Sequence, residues 1–279
     1  MMDKGLDTRF LFPDGNSISL KEQLRVKTLG FTPSAPKVER QKEKIPGSYG
    51  IRTTSSTYTE FPVSLRIWIE CKDTQGVQEK LLELRGFFAR LQDYYLVYSD
   101  MPGIRWPVQY EDMQENRKAG QVKFECIVNF NVPTGYAESL FTTDNTKEWD
   151  KGLLQWGMGI KWDEDMSYVY DERKFDVLNI GTIDINPAQH EIKWLIKANL
   201  SRIKIKNVTT GDQLIYYNAG RDEPGVFVLD GIHITDQNGI SLVRFADEGE
   251  IWLATGKNRI EIDALEYEWC KIITRFYYA

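Results

Sequence analysis

The sequence predicts a mainly β protein in two parts, a helix-plus-β domain followed by an antiparallel β-sandwich, and three observations support this. The chain has 279 residues, more than the roughly 100 to 200 usual for one domain. One segment alone spaces its apolar residues by three and four, as an amphipathic helix does. Elsewhere apolar and polar residues alternate in short runs separated by turn residues, the pattern of half-buried strands.

Residues 1 to 62 read as a long loop with β edges, broken by the Asp14-Gly15 turn and by the polar, Gly- and Pro-containing stretch KVERQKEKIPGSYGIRTTSS. Val63, Leu65, Ile67 and Ile69 then alternate with Ser64, Arg66, Trp68 and Glu70, which places the aliphatic set on one face of a strand. The helix is expected over residues 77–92, where Val77, Leu81, Leu84, Phe88 and Leu91 form one stripe. Gly86 inside it costs about 1 kcal/mol relative to alanine, which five matched positions outweigh. Strands follow around Tyr94 to Tyr98, Trp106 to Glu111 and Val122 to Phe130, and one helix packed on several antiparallel strands is the economical architecture.

Residues 142 to 176 are acidic and Trp-rich with no clean period, so the domain boundary is expected at residue 143, giving domains 1–143 and 144–279. Beyond it, HEIKWLIKA, SRIKIKNV, GVFVLDG, IWLATGKNRIEI and CKIITRFYY alternate, with turn signals at Thr210-Gly211-Asp212, Asp230-Gly231 and Asn238-Gly239. Strands spaced roughly 8 to 12 residues apart read as a sandwich.

Composition narrows the function. With 42% hydrophobic and 27% charged residues, the chain is neither disordered, collagen-like nor membrane-embedded. No apolar stretch is long enough for a membrane span or a signal peptide, so folding in a cytoplasm is expected. Cys71, Cys126 and Cys270 lie far apart in alternating runs and read as buried, reduced thiols. Residues 1–57 hold ten Lys/Arg against six Asp/Glu, net +4, whereas the remainder holds 25 against 35, net −10. An acidic body argues against nucleic acid as a partner, since phosphate binding needs a concentrated basic face. The basic leader, with Lys37, Arg40, Lys42, Lys44 and Arg52, instead suits an arm that lies on an acidic neighbouring copy.

Catalytic and cofactor chemistry finds no support. His190 and His233 are the two histidines, neither in a metal-binding spacing, and no catalytic, cofactor or metal residue is assigned. Gly249 and Gly256 stand too far apart for a phosphate loop, and Thr255-Gly256-Lys257-Asn258 reads as a hairpin turn. Asp236-Gln237-Asn238-Gly239 begins like a calcium loop but has Ile240 and Ser241 where a ligand and a glycine are required, so it too reads as a turn. Trp149, Trp156 and Trp162 could stack on sugar, which makes a carbohydrate-binding module contacting a cell wall through the second domain the alternative function; core packing is the plainer reading. A glycan hydrolase using Asp163 or Glu164 of the Asp163-Glu164-Asp165 triplet is a third possibility.

The first half, KIPGSYGIRTTSSTYTEFPVSLRIWIE, then EKLLELRGFFARL, YLVYSDMPGIRWPVQY and AGQVKFECIVNF, resembles the distal tail proteins, or Dit proteins, of long non-contractile-tailed phages. Ile45-Pro46-Gly47, Ser99-Asp100-Met101-Pro102 and the strand from Gly120 to Phe130 carry the resemblance. In the second half FDVLNIGTIDINPAQHEI, SRIKIKNVTTGDQLIY, VFVLDG and GKNRIEI are similar to the family's carboxy-terminal domain, a galectin-like β-sandwich. The resemblance implies a non-enzymatic virion component with no cofactor, assembled in the host bacterial cytoplasm. It implies a homohexameric ring of amino-terminal domains between the tail-tube or tail-terminating protein and the tail-tip protein. A receptor-binding protein or a cell-wall saccharide would be a further partner, without membrane insertion.

Overall fold

A computed structural model describes residues 6–47, 49–144 and 167–279. Its contacts divide the chain into two compact units, Met1–Glu138 with Ala279, and Ser139–Tyr278.

Unit 1 holds β1 (Thr8–Leu11), β2 (Ser17–Ser19), β3 (Lys27–Pro33), β4 (Lys37–Glu43), β5 (Arg52–Thr59) and β6 (Phe61–Glu70). After them come α1 (Thr74–Phe88), β7 (Tyr94–Tyr98), β8 (Ile104–Asn116) and β9 (Lys123–Val132). A short β10 (Ala137–Ser139) lies at the junction of the two units in sequence. Seven of these strands pair in the order β2-β1-β7-β8-β9-β6-β3, every pair antiparallel. The leader is therefore more ordered than a loop with β edges: β1 and β2 join the sheet around the Asp14-Gly15 turn, β3 joins it at the far edge, and β4 pairs with β5. Its sequence hides this because few of its side chains are buried, so the period-two apolar signal is weak.

Strand β8 is long enough to pair with different neighbours along its length, β10 as well as β7 and β9. Leu96, Tyr95 and Tyr94 of β7 pair with Trp106, Pro107 and Val108, and β9 then pairs with residues 109–116. The register slips between Tyr110 and Asp112, leaving Glu111 as a bulge. On β6 the expected alternation holds: Val63, Leu65, Ile67 and Ile69 are buried against Phe124, Cys126, Val128 and Phe130 of β9.

Helix α1 starts at an Asp73 cap, whose carboxylate accepts the Gly76 N–H at 2.8 Å. It buries Val77, Leu81, Leu84, Phe87 and Phe88, each removal from water worth about 1.5 to 3 kcal/mol for a large apolar side chain. The helix ends at Phe88, short of the expected Gln92, because Ala89 leaves helical geometry at ψ 52°. Leu91 consequently loses the phase of the stripe and is exposed, while Phe87 takes a place in the core. Phe87, Phe88 and Tyr94 each stand 5.3 to 5.7 Å from the Phe10 ring at steep angles, the edge-to-face geometry aromatic rings favour.

Unit 2 contains β11 (Val169–Tyr170), β12 (Lys174–Asn179), β13 (Ile192–Asn199), β14 (Arg202–Asn207) and β15 (Gln213–Tyr217). It continues with β16 (Pro224–Asp230), β17 (His233–Asp236), β18 (Gly256–Ala264), β19 (Trp269–Thr274) and β20 (Tyr277–Tyr278). Two antiparallel sheets, β11-β19-β13-β16-β17 and β12-β18-β14-β15, form a sandwich. Trp194, Ile196, Phe227 and Ile272 of the first sheet and Ile203, Ile205, Tyr216 and Ile260 of the second fill its core.

Gly256 and Asn258 belong to β18 and are not a hairpin turn. The physical reason is the buried Asn258 amide, which donates to Ala254 O at 2.7 Å and so folds the preceding residues onto the strand. Asn207 does the same for Trp252 O at 2.7 Å and Asn179 for Leu253 O at 3.3 Å. Asp236 closes the expected turn by accepting the Asn238 and Ile240 N–H groups, each at 2.9 Å. Cys126 and Cys270 are buried thiols, as expected, but Cys71 is partly exposed, since it lies past the end of β6. Burial pushes the Cys126 thiol up to about 12, far from a reactive thiolate. Among the described residues no helix is long and apolar enough to cross a membrane.

Candidate assembly interface

The feature of unit 1 that packing does not explain is the β4–β5 hairpin. Its two strands pair with one another alone, from Lys37↔Thr59 to Glu43↔Arg52, in a two-stranded sheet. All but one of the residues in the two strands are exposed. Side-chain bonds add little: Thr54 Oγ1 donates to Gln41 O at 3.2 Å and Thr59 Oγ1 to Lys37 O at 3.4 Å. A lone two-stranded hairpin is marginal in water. At its base, Gly135 (φ +78°) faces Tyr58 and Thr59 so closely that a Cβ would stand 3.0 Å from the Thr59 carbonyl oxygen, so both conformation and space favour glycine there.

The connection between the strands turns through Gly47 and Gly50, both at positive φ. It leaves Ile45, Tyr49 and Ile51 exposed, and Val38 and Tyr58 are exposed lower on the strands. Such a set of exposed apolar side chains makes the hairpin a candidate contact surface. Sequence reading named none of these five as a contact residue; the available signal was apolar residues set among charged and hydroxyl side chains without alternation.

The five cations expected to form an arm are all here. Lys37, Arg40 and Lys42 lie on β4, Lys44 just beyond it, and Arg52 opens β5. Among the described residues none of them makes a salt bridge. Unit 1 pairs other exposed charges, for example Arg66 with Glu125 at 2.6 Å and Lys123 with Glu70.

The remaining candidates are not brought to this surface. Trp149, Trp156, Trp162 and the Asp163-Glu164-Asp165 triplet lie outside the described residues. His233 is exposed at the start of β17. His190 is buried in unit 2, accepts the Asn186 N–H on Nδ1 at 2.9 Å and stacks on Tyr277 with ring centroids 4.1 Å apart. Burial pushes its pKa down to about 4, which keeps it neutral near pH 7 and suits a structural role. No group of metal-ligating side chains gathers among the described residues.

Comparison with known proteins bears on the unit that carries this surface. Residues 14–132, which include the whole hairpin, match the family described as Phage tail protein RIFT-related domain. Unit 1 is thus similar to a phage tail domain.

Over 96% of its length the chain is similar in fold to the Dit protein of phage SPP1, with TM-score 0.62, 13% identity and 99% of that chain covered. That protein is described as a paradigm of the hub adsorption apparatus in phages that infect Gram-positive bacteria. A lower likeness, TM-score 0.43, is found to two structures of the phage p2 baseplate in its activated conformation, with Sr at 10% identity and with Ca at 11%. Each covers 97% of this chain, and 97% and 98% of the respective matched chains. No curated protein matches the sequence. The resemblance to distal tail proteins that the sequence motifs carry is thus met from both sides, by the family match in unit 1 and by the fold of nearly the whole chain.

Proposed function

We propose that this protein is a structural hub of a phage tail tip, a hexameric ring that joins the tail tube to the tail-tip and host-adsorption apparatus. The observation that carries the reading is the hairpin: an exposed ladder with uncompensated cations and apolar side chains, built on a unit similar to a phage tail domain. A ring requires head-to-tail contacts in which one face of each copy meets a different face of the next. An arm reaching out of the body supplies one of those two faces. The fold likeness to a hub protein and the family match support the role, and the resemblance to distal tail proteins supplies the number six. In this reading unit 2, with its galectin-like sandwich, projects from the ring, the partners are the tail-tube and tail-tip proteins, and no reaction is catalysed.

Native mass spectrometry of the full chain tests the ring. Six copies of 32.4 kDa give a species of about 194 kDa, and negative-stain images of it should show a closed ring with a central hole. A chain that stays monomeric and also fails to bind a tube or tail-tip protein in a pull-down overturns the reading.

A further inference from the structure

We infer that the arm docks through one of its two faces, the one carrying Val38, Arg40, Lys42 and Tyr58, and that it seats on the acidic stretch of β8 that β7 leaves uncovered, in a second copy of this chain. The inference rests on the ring reading and adds to it a binding face and a receiving surface.

The register of the hairpin separates its charges. Side chains of a strand alternate between faces, so Val38, Arg40 and Lys42 share one face of β4, and Lys37, Glu39, Gln41 and Glu43 share the other. On β5 the partners are Tyr58 for Val38 and Ser56 for Arg40, but Lys42 faces Thr53 because the register slips between Gln41 and Lys42. Thr54 is the extra residue of that bulge. Its effect is to carry Arg52 across to the other face, where it stands opposite Glu43. One face thus holds Lys37, Glu39, Glu43 and Arg52, two cations balanced by two carboxylates. The other holds Arg40 and Lys42 without a carboxylate, beside the exposed Val38–Tyr58 pair. Had β5 kept its alternation, Arg52 would have joined Arg40 and Lys42. A face with unbalanced charge around an apolar pair has the composition of a protein contact, and the balanced face has that of a solvated surface.

The occupant follows from charge. Residues beyond 57 carry a net charge of −10, and unit 1 itself presents carboxylates without cation partners on the stretch of β8 that β7 leaves uncovered. The pairing of β7 with β8 ends at Tyr94↔Val108, so β7 leaves residues 109–116 uncovered on that side. Glu111, pushed out by its bulge, and Asp112 are exposed on this stretch. Asp93 is brought to its start by the Gln109 amide, which donates to Asp93 Oδ1 at 3.0 Å. None of these three forms a salt bridge among the described residues. Uncompensated charge of opposite sign on two different faces of one unit is the arrangement a heterologous contact needs.

The test uses the full chain and reads its assembly midpoint by analytical ultracentrifugation at 50 mM and 500 mM salt. Reversal of the docking face, Arg40→Glu with Lys42→Glu, should raise the midpoint concentration at least about tenfold, more at low salt than at high salt. Reversal of two cations on the other face, Lys37→Glu with Arg52→Glu, should change it by less than about threefold. Adding Asp93→Lys and Glu111→Lys to the first variant should restore assembly. Unchanged thermal melting of each variant shows that folding is intact, as expected for exposed positions. Equal losses from the two faces, or no loss from either, overturn the one-face assignment. A selective loss that the added lysines do not repair overturns β8 as the receiver. An unaltered chain that never assembles removes the ring reading and the docking together, and is told apart because it shows before any variant is compared.

Discussion

Within unit 1 two antiparallel ladders stand in instructive contrast. The pair β6–β9 runs from Phe61↔Val132 to Glu70↔Lys123 and buries an unbroken apolar row on one side. The pair β4–β5 runs from Lys37↔Thr59 to Glu43↔Arg52 and buries almost nothing. Within each ladder the groups that face the partner strand are paired, but β6 and β9 also pair on their outer sides, with β3 and β8, and β4 and β5 do not. The larger difference is removal of apolar surface from water, which drives folding, whereas backbone hydrogen bonds exchange with those to water at small net gain. The first ladder is held in place by its own burial, and in the proposed ring the second is completed by what it touches.

The largest blow to this contrast should come from the core behind the buried ladder. Phe88→Ala removes a fully buried ring that meets Phe10 at 5.7 Å and Phe130 at 5.9 Å, and should cost about 3 to 5 kcal/mol. Denaturant unfolding reads this directly, and a change below about 1 kcal/mol would contradict the helix packing described here.

A second effect, in unit 2, is expected from acid. His190 is held neutral, with its pKa lowered to about 4 by burial, whereas an unfolded histidine takes up its proton near 6.5. Between those values the unfolded chain binds the extra proton, so stability is intact above pH 6.5 and declines as pH falls toward 4, by at most about 3 kcal/mol. Carboxylates titrate in part of the same range, so the measurement is a difference: melting temperature against pH for the wild type minus that for His190→Gln. A flat difference between pH 7 and pH 4 would show that the ring is not buried in neutral form.

The smallest effect belongs to the hairpin. Tyr58→Ser should alter the melting of the isolated chain by less than about 0.5 kcal/mol, because its side chain is exposed in the single copy. The same substitution should weaken assembly, and a substitution that lowers melting and assembly in parallel would erase the distinction between the two ladders.

What could be read from sequence follows the same line. The β6 strand and the α1 stripe were legible because their apolar residues repeat at periods of two and of three to four, a signal that burial itself creates. Leu91 misled because periodicity cannot show where Ala89 leaves the helix. The hairpin strands were missed for the opposite reason: with both faces exposed, β4 and β5 carry no period, and only the excess of Lys and Arg suggested the arm proposed above. Even then composition could not divide Arg40 and Lys42 from Lys37 and Arg52, since that depends on a one-residue slip at Thr54 which no residue type announces. In unit 2 the expected turn at Gly256 was a strand, because a buried asparagine amide can hold a neighbouring segment as firmly as a turn does.

The length of β8 has a consequence for how unit 1 comes apart. One continuous backbone is the common member of the β2-β1-β7 side and the β9-β6-β3 side of the sheet. Neither side can peel away without stripping hydrogen bonds from a strand that the other still needs. Amides of β7 and β9 should therefore exchange with deuterium through the same opening event, with equal free energies and a shared response to denaturant. The arm, which hangs on this block by its base alone, should exchange within the dead time of that experiment and so serve as the internal reference for a freely opening ladder.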